Sequence, residues 1–463
     1  MNRVWSVLTL QDASAPGWMR ASHINWMNGR FQLWGKGSWI LQWSDLIGLI
    51  LVGLVFGLAP FVSTTMIGIL LLCCAGFWGI LTLTNSDGLN VTPIHVFVGA
   101  YWAIATVATA FSDVRAQAVE GWIKLTLYLL LFLLLSRLMR SPRCRTSLIT
   151  VYLHTATFVS IFGLRQWFFG VDALATWVDP ESSLAGTTRV YSYLGNPNLL
   201  AGYLIPAIIF SAAAVFAWQG WGVKLLAVVM LCVNIACLVL TFSRGGWIGF
   251  VVAGFVFLLM MIYWILPRLA RFWQIWLMPM VLGGTTTFLA IAVSTVQPLR
   301  DRVASIFVGR EDSSNNFRIN VWNSVIEMIQ ARPVLGIGPG NDAFNAVYPF
   351  YQEPDYTALS AYSVYLEIAV ETGFVGLVCF LWLLLVTFTH GWIQLHKLRR
   401  LQHRDAFWLM GAIATMVGML SHGLVDTVWY RPQVSMLWWL MIALVASYVA
   451  NAQATETSHA TDS

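Results

Sequence analysis

The chain has 463 residues, of which 58% are hydrophobic and 10% charged, with a formal net charge of +5. So little charge cannot give a soluble globule of this size its polar surface, so the composition excludes that class and predicts a polytopic membrane protein. The 24 tryptophans agree, since amphipathic indoles gather where acyl chains meet headgroups.

Residues 1–45 lack a compact apolar region ahead of a small-residue cleavage site, so they read as a cytoplasmic or interfacial N-terminal segment and not as a cleavable signal. Apolar stretches of about 20 residues, enough to cross a hydrocarbon core of roughly 30 Å, then recur. They fall near 46–61, 64–83, 93–111, 121–139, 147–164, 199–218, 223–242, 246–266, 276–296, 373–391, 407–424 and 433–450. The expected fold is an all-α membrane domain over 46–450 with about twelve transmembrane helices, followed by a polar, disordered cytoplasmic tail, 451–463. Two excursions leave it, a short one at about 165–198 and a long one at about 297–372. In the long one Phe317, Val321, Trp322, Val325, Ile326 and Ile329 make one apolar stripe, which predicts a helix over 316–330 ending at Arg332-Pro333.

With the N-terminus inside, short inner segments hold most of the basic residues, among them Arg137, Arg140, Arg143, Arg145, Lys397, Arg399, Arg400 and Arg404. The outer short loops keep Arg115, Arg165, Arg189, Arg244 and Arg431. This asymmetry predicts both termini in the cytoplasm, a plasma (inner) membrane location and the long excursion outside. Charges spread through short loops do not make a nucleic-acid site. Cys73, Cys74, Cys232, Cys237 and Cys379 fall in predicted spans and Cys144 in an inner loop, with no paired metal-ligand spacing, so packing is expected of them and no metal.

Four tracts carry possible chemistry. Arg189 precedes Gly195-Asn196-Pro197-Asn198, where the Asn amides suit a helix start. Ser243-Arg244-Gly245-Gly246 sits between two spans, where an arginine either snorkels or meets an anion. Arg318 and Trp322 precede Gly336-Ile337-Gly338-Pro339-Gly340, which has no following Gly-Lys-Thr/Ser and so supports no Walker loop; a turn-rich cap is the plain alternative. The fourth is Ala361-Tyr362-Ser363-Val364-Tyr365-Leu366, running on to Glu371-Thr372-Gly373.

These tracts resemble those of the O-antigen ligase and polymerase superfamily (Wzy_C, WaaL-like), whose Ala-His-Asn-x-Tyr-Leu-x-x-x-x-Glu-Thr-Gly signature the fourth repeats with tyrosine at the histidine position. The resemblance implies an O-antigen ligase-like fold with a large extracytoplasmic loop. It also implies that Arg189, Arg244 and Arg318 bind the diphosphate of a polyprenyl-linked glycan donor, with support from Asn196, Asn198, Ser243, Gly338, Gly340 and Glu371. No cofactor is implied. The histidine would take the acceptor's proton; tyrosine, with a pKa of roughly 10, cannot do so near neutrality. Within the superfamily the Ser-Ala-Tyr variant resembles the cyanobacterial IctB-type branch, named for inorganic carbon accumulation and often labelled bicarbonate transporters. The anionic ligand expected beside the lipid bilayer is therefore bicarbonate or a polyprenyl diphosphate-linked glycan.

The remaining titratable groups have local readings. His422 and Asp426, four apart, share a helical face and make either a substitute base or a polar clasp between helices. Glu367 and Glu371 line the site or a solvated face. Lys124 pairs with Glu120 one turn earlier, and His154 has no partner by sequence. Three guanidinium groups crowded beside lipid would repel one another, which a shared anion would relieve.

Overall fold

The computed structural model describes residues 3–10, 39–84, 91–171, 189–295, 309–311, 313–354 and 356–448, with the single positions 300 and 304. The expected tail at 451–463 lies outside them, as do most of residues 1–45. In chain order the main helices are α1 (Arg3–Leu8), α2 (Ser44–Leu58), α3 (Thr64–Thr84), α4 (Pro93–Ala110) and α5 (Arg115–Leu138). Next come α6 (Pro142–Phe169), α7 (Pro197–Ala217), α8 (Trp221–Leu240), α9 (Arg244–Ile265) and α10 (Arg271–Thr295). The last five are α11 (Ser313–Ala331), α12 (Asn341–Val347), α13 (Val364–Leu401), α14 (Ala406–His422) and α15 (Pro432–Ser447). The chain is an all-helical polytopic membrane protein, with no strand among the described residues.

Every expected apolar stretch falls on a helix. Among the described residues eight are long and apolar enough to cross a membrane: α3 to α9 and α13. The other expected stretches fall on α2, α10, α14 and α15. Helices α2, α14 and α15 have 15, 17 and 16 residues. Most of α14 and α15 is buried inside the bundle, where a helix need not match the bilayer thickness.

Burial orders the bundle. The apolar window of α7 is 83% buried against 28% for α3 and α8, so α7 is the central post and the other two face outward. Backbones approach closely where side chains are small: an added Cβ at Gly249 of α9 would stand 2.7 Å from the Gly418 carbonyl of α14. Such crossings replace a hydrophobic drive that lipid does not supply. At one end, fully buried Arg145 pairs with Asp405 at 2.6 Å and lies over the Tyr448 ring. Cys144, expected in a loop, is a buried residue of the first turn of α6.

The opposite end carries residues 313–354 and will be called the loop end. Here α11 runs from Ser313 to Ala331 and stops before Arg332-Pro333, as its stripe predicts. Val321, Val325 and Ile329 form a second core with Phe344, Tyr348 and Val370, whereas Ile326 is 43% exposed and leaves the stripe. Gly373 breaks α13 with φ +66° and ψ −173°. A Cβ there would collide with the Val334 carbonyl, so the Glu-Thr-Gly tract ends in glycine because the 333–336 turn packs on the break.

Candidate functional site

Three elements meet at the loop end around Asp426. Gln166 accepts the backbone N–H groups of Tyr191 and Ser192, and Val190 bonds Leu240, which fixes the segment carrying Arg189. Arg189 donates from Nε to the Thr241 carbonyl at 3.0 Å and from Nη2 to Asn198 Oδ1 at 3.2 Å. Burial and the neighbouring Arg318 push the Arg189 pKa down to about 10; Asp426 opposes this and Arg244 adds to it. Each of these charged groups therefore lies within electrostatic reach of Arg189.

Arg244 opens α9 and is 9% exposed. Its neighbour Ser243 is the N-cap and accepts the Gly246 N–H at 3.2 Å. Asn196 caps α7 in the same way, accepting from Asn198 and Leu199 at 2.8 and 3.3 Å. Both are helix-capping residues by geometry. Arg318, on α11, donates from Nε to the Val425 carbonyl at 2.9 Å and from Nη1 to Ser314 Oγ at 2.7 Å. The three arginines thus come together, but Arg189 and Arg318 are held by protein oxygens and Asp426 shares their field.

Tyr362 joins this cluster from the start of α13, in a left-handed backbone conformation with φ +48°. Its ring meets Phe317 edge-on at 5.5 Å and its carbonyl accepts the Trp322 indole N–H at 3.4 Å. Burial, then Asp426, raises the pKa of its hydroxyl above the ordinary tyrosine value, with Arg318 pulling the other way. The hydroxyl is therefore kept protonated, the opposite of a base.

His422 is 1% exposed and ends α14, so the helical face it was expected to share with Asp426 does not exist. Neither ring nitrogen has a hydrogen-bond partner, so no clasp to Asp426 forms. The ring lies against Gly202, Gly245 and Gly249, where an added Cβ at Gly245 would stand 2.7 Å from Cδ2, and it is within electrostatic reach of Asp426 and Arg318.

The other expected supports do not join the arginines. Gly338 and Gly340 pack on α5, an added Cβ at Gly340 standing 2.5 Å from Gly121 Cα. The Gly340 N–H donates to Glu371 Oε1 at 2.7 Å, and the Ala361 N–H to Glu367 Oε2 at 2.6 Å. Both carboxylates face a separate cavity of about 160 Å³ between α5, α13 and α15. Lys124 also faces it and pairs with Asp342 of α12 at 2.6 Å, not with the exposed Glu120. The rule of neighbours on one helical face had no access to a partner 218 residues away. His154 is exposed and its Nδ1 bonds the Thr150 carbonyl of its own helix, so it belongs to neither site.

The fold is O-antigen ligase-like: eight candidate spans with a helical insertion at one end. Residues 225–381 match the O-antigen ligase family model, Wzy_C. The matched stretch contains Arg244, Arg318, Tyr362, Glu367 and Glu371, while Arg189, His422 and Asp426 fall outside it. No curated protein matches the chain.

Proposed function

We propose that the loop end faces the extracytoplasmic side of the plasma membrane and that Arg189, Arg244 and Arg318 bind the diphosphate of a polyprenyl-linked glycan. The observation that carries this reading is the charge of the cluster. Arg318 and Arg244 both act electrostatically on Arg189, so three guanidinium groups gather at one place, and guanidinium forks suit phosphate oxygens. The family match over 225–381 supports the same ligand class.

In a transfer reaction the acceptor hydroxyl would attack the anomeric carbon as its bond to the diphosphate breaks. The polyprenyl diphosphate would leave with the electron pair, its charge held by the arginines. The hydroxyl proton must then go to a group other than Tyr362, and His422, with two unpartnered ring nitrogens in the same cluster, is the next titratable residue. Bicarbonate, the ligand implied by the IctB-type resemblance, would use the same arginines but has only three oxygens for three guanidinium forks, fewer than a diphosphate presents.

The test is to titrate purified protein in nanodiscs with a short-chain polyprenyl diphosphate and with bicarbonate. The reading expects saturable diphosphate binding that Arg244→Gln abolishes and Arg244→Lys restores only in part. Bicarbonate binding without diphosphate binding would overturn it.

A further inference from the structure

The cavity beside the arginine cluster is a built polar site with no ligand from the protein itself. Its volume of about 160 Å³ far exceeds the roughly 10–15 Å³ that one water requires. Four buried polar atoms on its wall residues have no hydrogen-bond partner among the described residues: Thr427 Oγ1, Asn341 Oδ1 and the indole Nε1 of Trp429 and Trp438. Thr427 is 2% exposed and Trp438 1%. Buried polar groups are ordinarily paired, so four orphans around one cavity point to an occupant.

The kinds of orphan define that occupant. Two indole N–H groups require acceptors from the ligand. The Glu367 and Glu371 carboxylates each accept one backbone N–H and keep lone pairs that require donors. An ammonium ion supplies donors only, and an anion supplies acceptors only and would leave the lone pairs of Glu367 and Glu371 without donors. A hydroxyl supplies both donor and acceptor. Much of the remaining wall is aromatic, with the Trp429 and Trp438 rings 4.2 Å apart between centroids and tilted by 30°, a surface suited to the C–H face of a saturated ring.

We propose that this cavity binds a polyhydroxylated ring, a single sugar residue, with Glu367 and Glu371 accepting from its hydroxyls and Thr427, Trp429 and Trp438 donating to its oxygens. That the ring is the acceptor for a donor held by the arginines rests on the function proposed above; the binding itself does not.

The experiment uses the full chain in nanodiscs, titrated calorimetrically with D-glucose, D-galactose and N-acetyl-D-glucosamine, with tetramethylammonium as comparator. At least one sugar binds, and Trp438→Phe and Thr427→Val each weaken it about three- to tenfold, the effect of one neutral hydrogen bond. Thr427→Val also raises the unfolding temperature of the ligand-free protein, because a buried unsatisfied hydroxyl is gone. Arg244→Gln leaves sugar affinity unchanged, so failure of the arginine reading and failure of this one are told apart. If Trp438→Phe fails to fold, the Thr427→Val affinity decides. No sugar binding above empty nanodiscs, binding of tetramethylammonium alone, or variants that bind as tightly as wild type overturns the proposal.

Discussion

Lys124 Nζ and Asp342 Oδ2 stand 2.6 Å apart, joining the third turn of a membrane helix to a helix of the loop end 218 residues later. With side chains 55% and 40% exposed, the pair is screened and should contribute about 0.2–1 kcal/mol. A double-mutant cycle on thermal unfolding with Lys124→Met and Asp342→Asn should return a coupling in that range. Glu120→Gln should change nothing, and an equal loss in that variant would restore Glu120 as the partner.

Arg189 gives a pH prediction. Its pKa is lowered to about 10, chiefly by burial and Arg318, so below pH 10 the empty protein carries the full cost of a buried, repelled charge. Between pH 10 and the unfolded arginine value the unfolded chain holds more protons, so this contribution to stability rises with pH. Anion binding needs the charged form and runs the other way. Stabilisation by a polyprenyl diphosphate, about 2.7 kcal/mol at one hundred times Kd, should be complete below pH 10 and fade above it. A shift that persists unchanged in Arg189→Gln would remove this arginine from the site.

Tyr362 keeps its proton, since burial and Asp426 raise its pKa above the ordinary tyrosine value. Tyr362→Phe should therefore leave diphosphate affinity and its pH profile between pH 6 and pH 9, roughly the range around the histidine pKa, unchanged. Tyr362→His places a titratable base there and should raise glycan transfer above the wild-type level. If wild type already transfers and Tyr362→Phe transfers equally well, the decisive variant is His422→Gln, which should then abolish activity.

Gly373→Ala should be among the most damaging single-atom additions in the chain. It combines a left-handed φ of +66° with a collision at the Val334 carbonyl, so a cost above about 3 kcal/mol is expected from strain and overpacking together. Unfolding temperature and membrane yield read this. Gly254→Ala, where an added Cβ meets nothing within 4 Å, is the control and should be tolerated.

Orientation is tested by cysteine labelling. Arg404→Cys and Ser313→Cys put thiols at exposed positions near opposite ends of the bundle. In intact cells an impermeant maleimide should modify the Ser313 variant alone. Modification of the Arg404 variant alone would invert the proposed topology.

The helices were legible because crossing lipid demands a run of apolar residues that no soluble segment needs. Arg189, Arg244 and Arg318 were legible as individual residues because each sits beside a distinctive short tract. Their neighbour Asp426 was read only against His422, since a one-dimensional rule for helix faces carried it past the actual end of α14 at Gly423. The second cavity left almost no trace in the sequence. Its walls come from α5, the turn at Gly340, α13 and the stretch after α14, and a tryptophan whose N–H lacks a partner reads the same in one dimension as a lipid-facing one. Glu371 was assigned to the arginines because it belongs to the same signature as Tyr362. Two turns of helix and its bond to Gly340 take it to the other side.

Residues 425–430 form the wall between the two sites. The Val425 carbonyl holds Arg318, Asp426 acts on Arg189, and Thr427, Trp429 and Tyr430 face the cavity. Neighbouring residues of one short, largely irregular segment thus belong to different sites. A deletion or insertion that shifts its register by one position would put the Thr427 hydroxyl where the Asp426 carboxylate stands or, in the other direction, send that carboxylate into the aromatic chamber. A ligand that moved the stretch on one side would therefore be felt on the other.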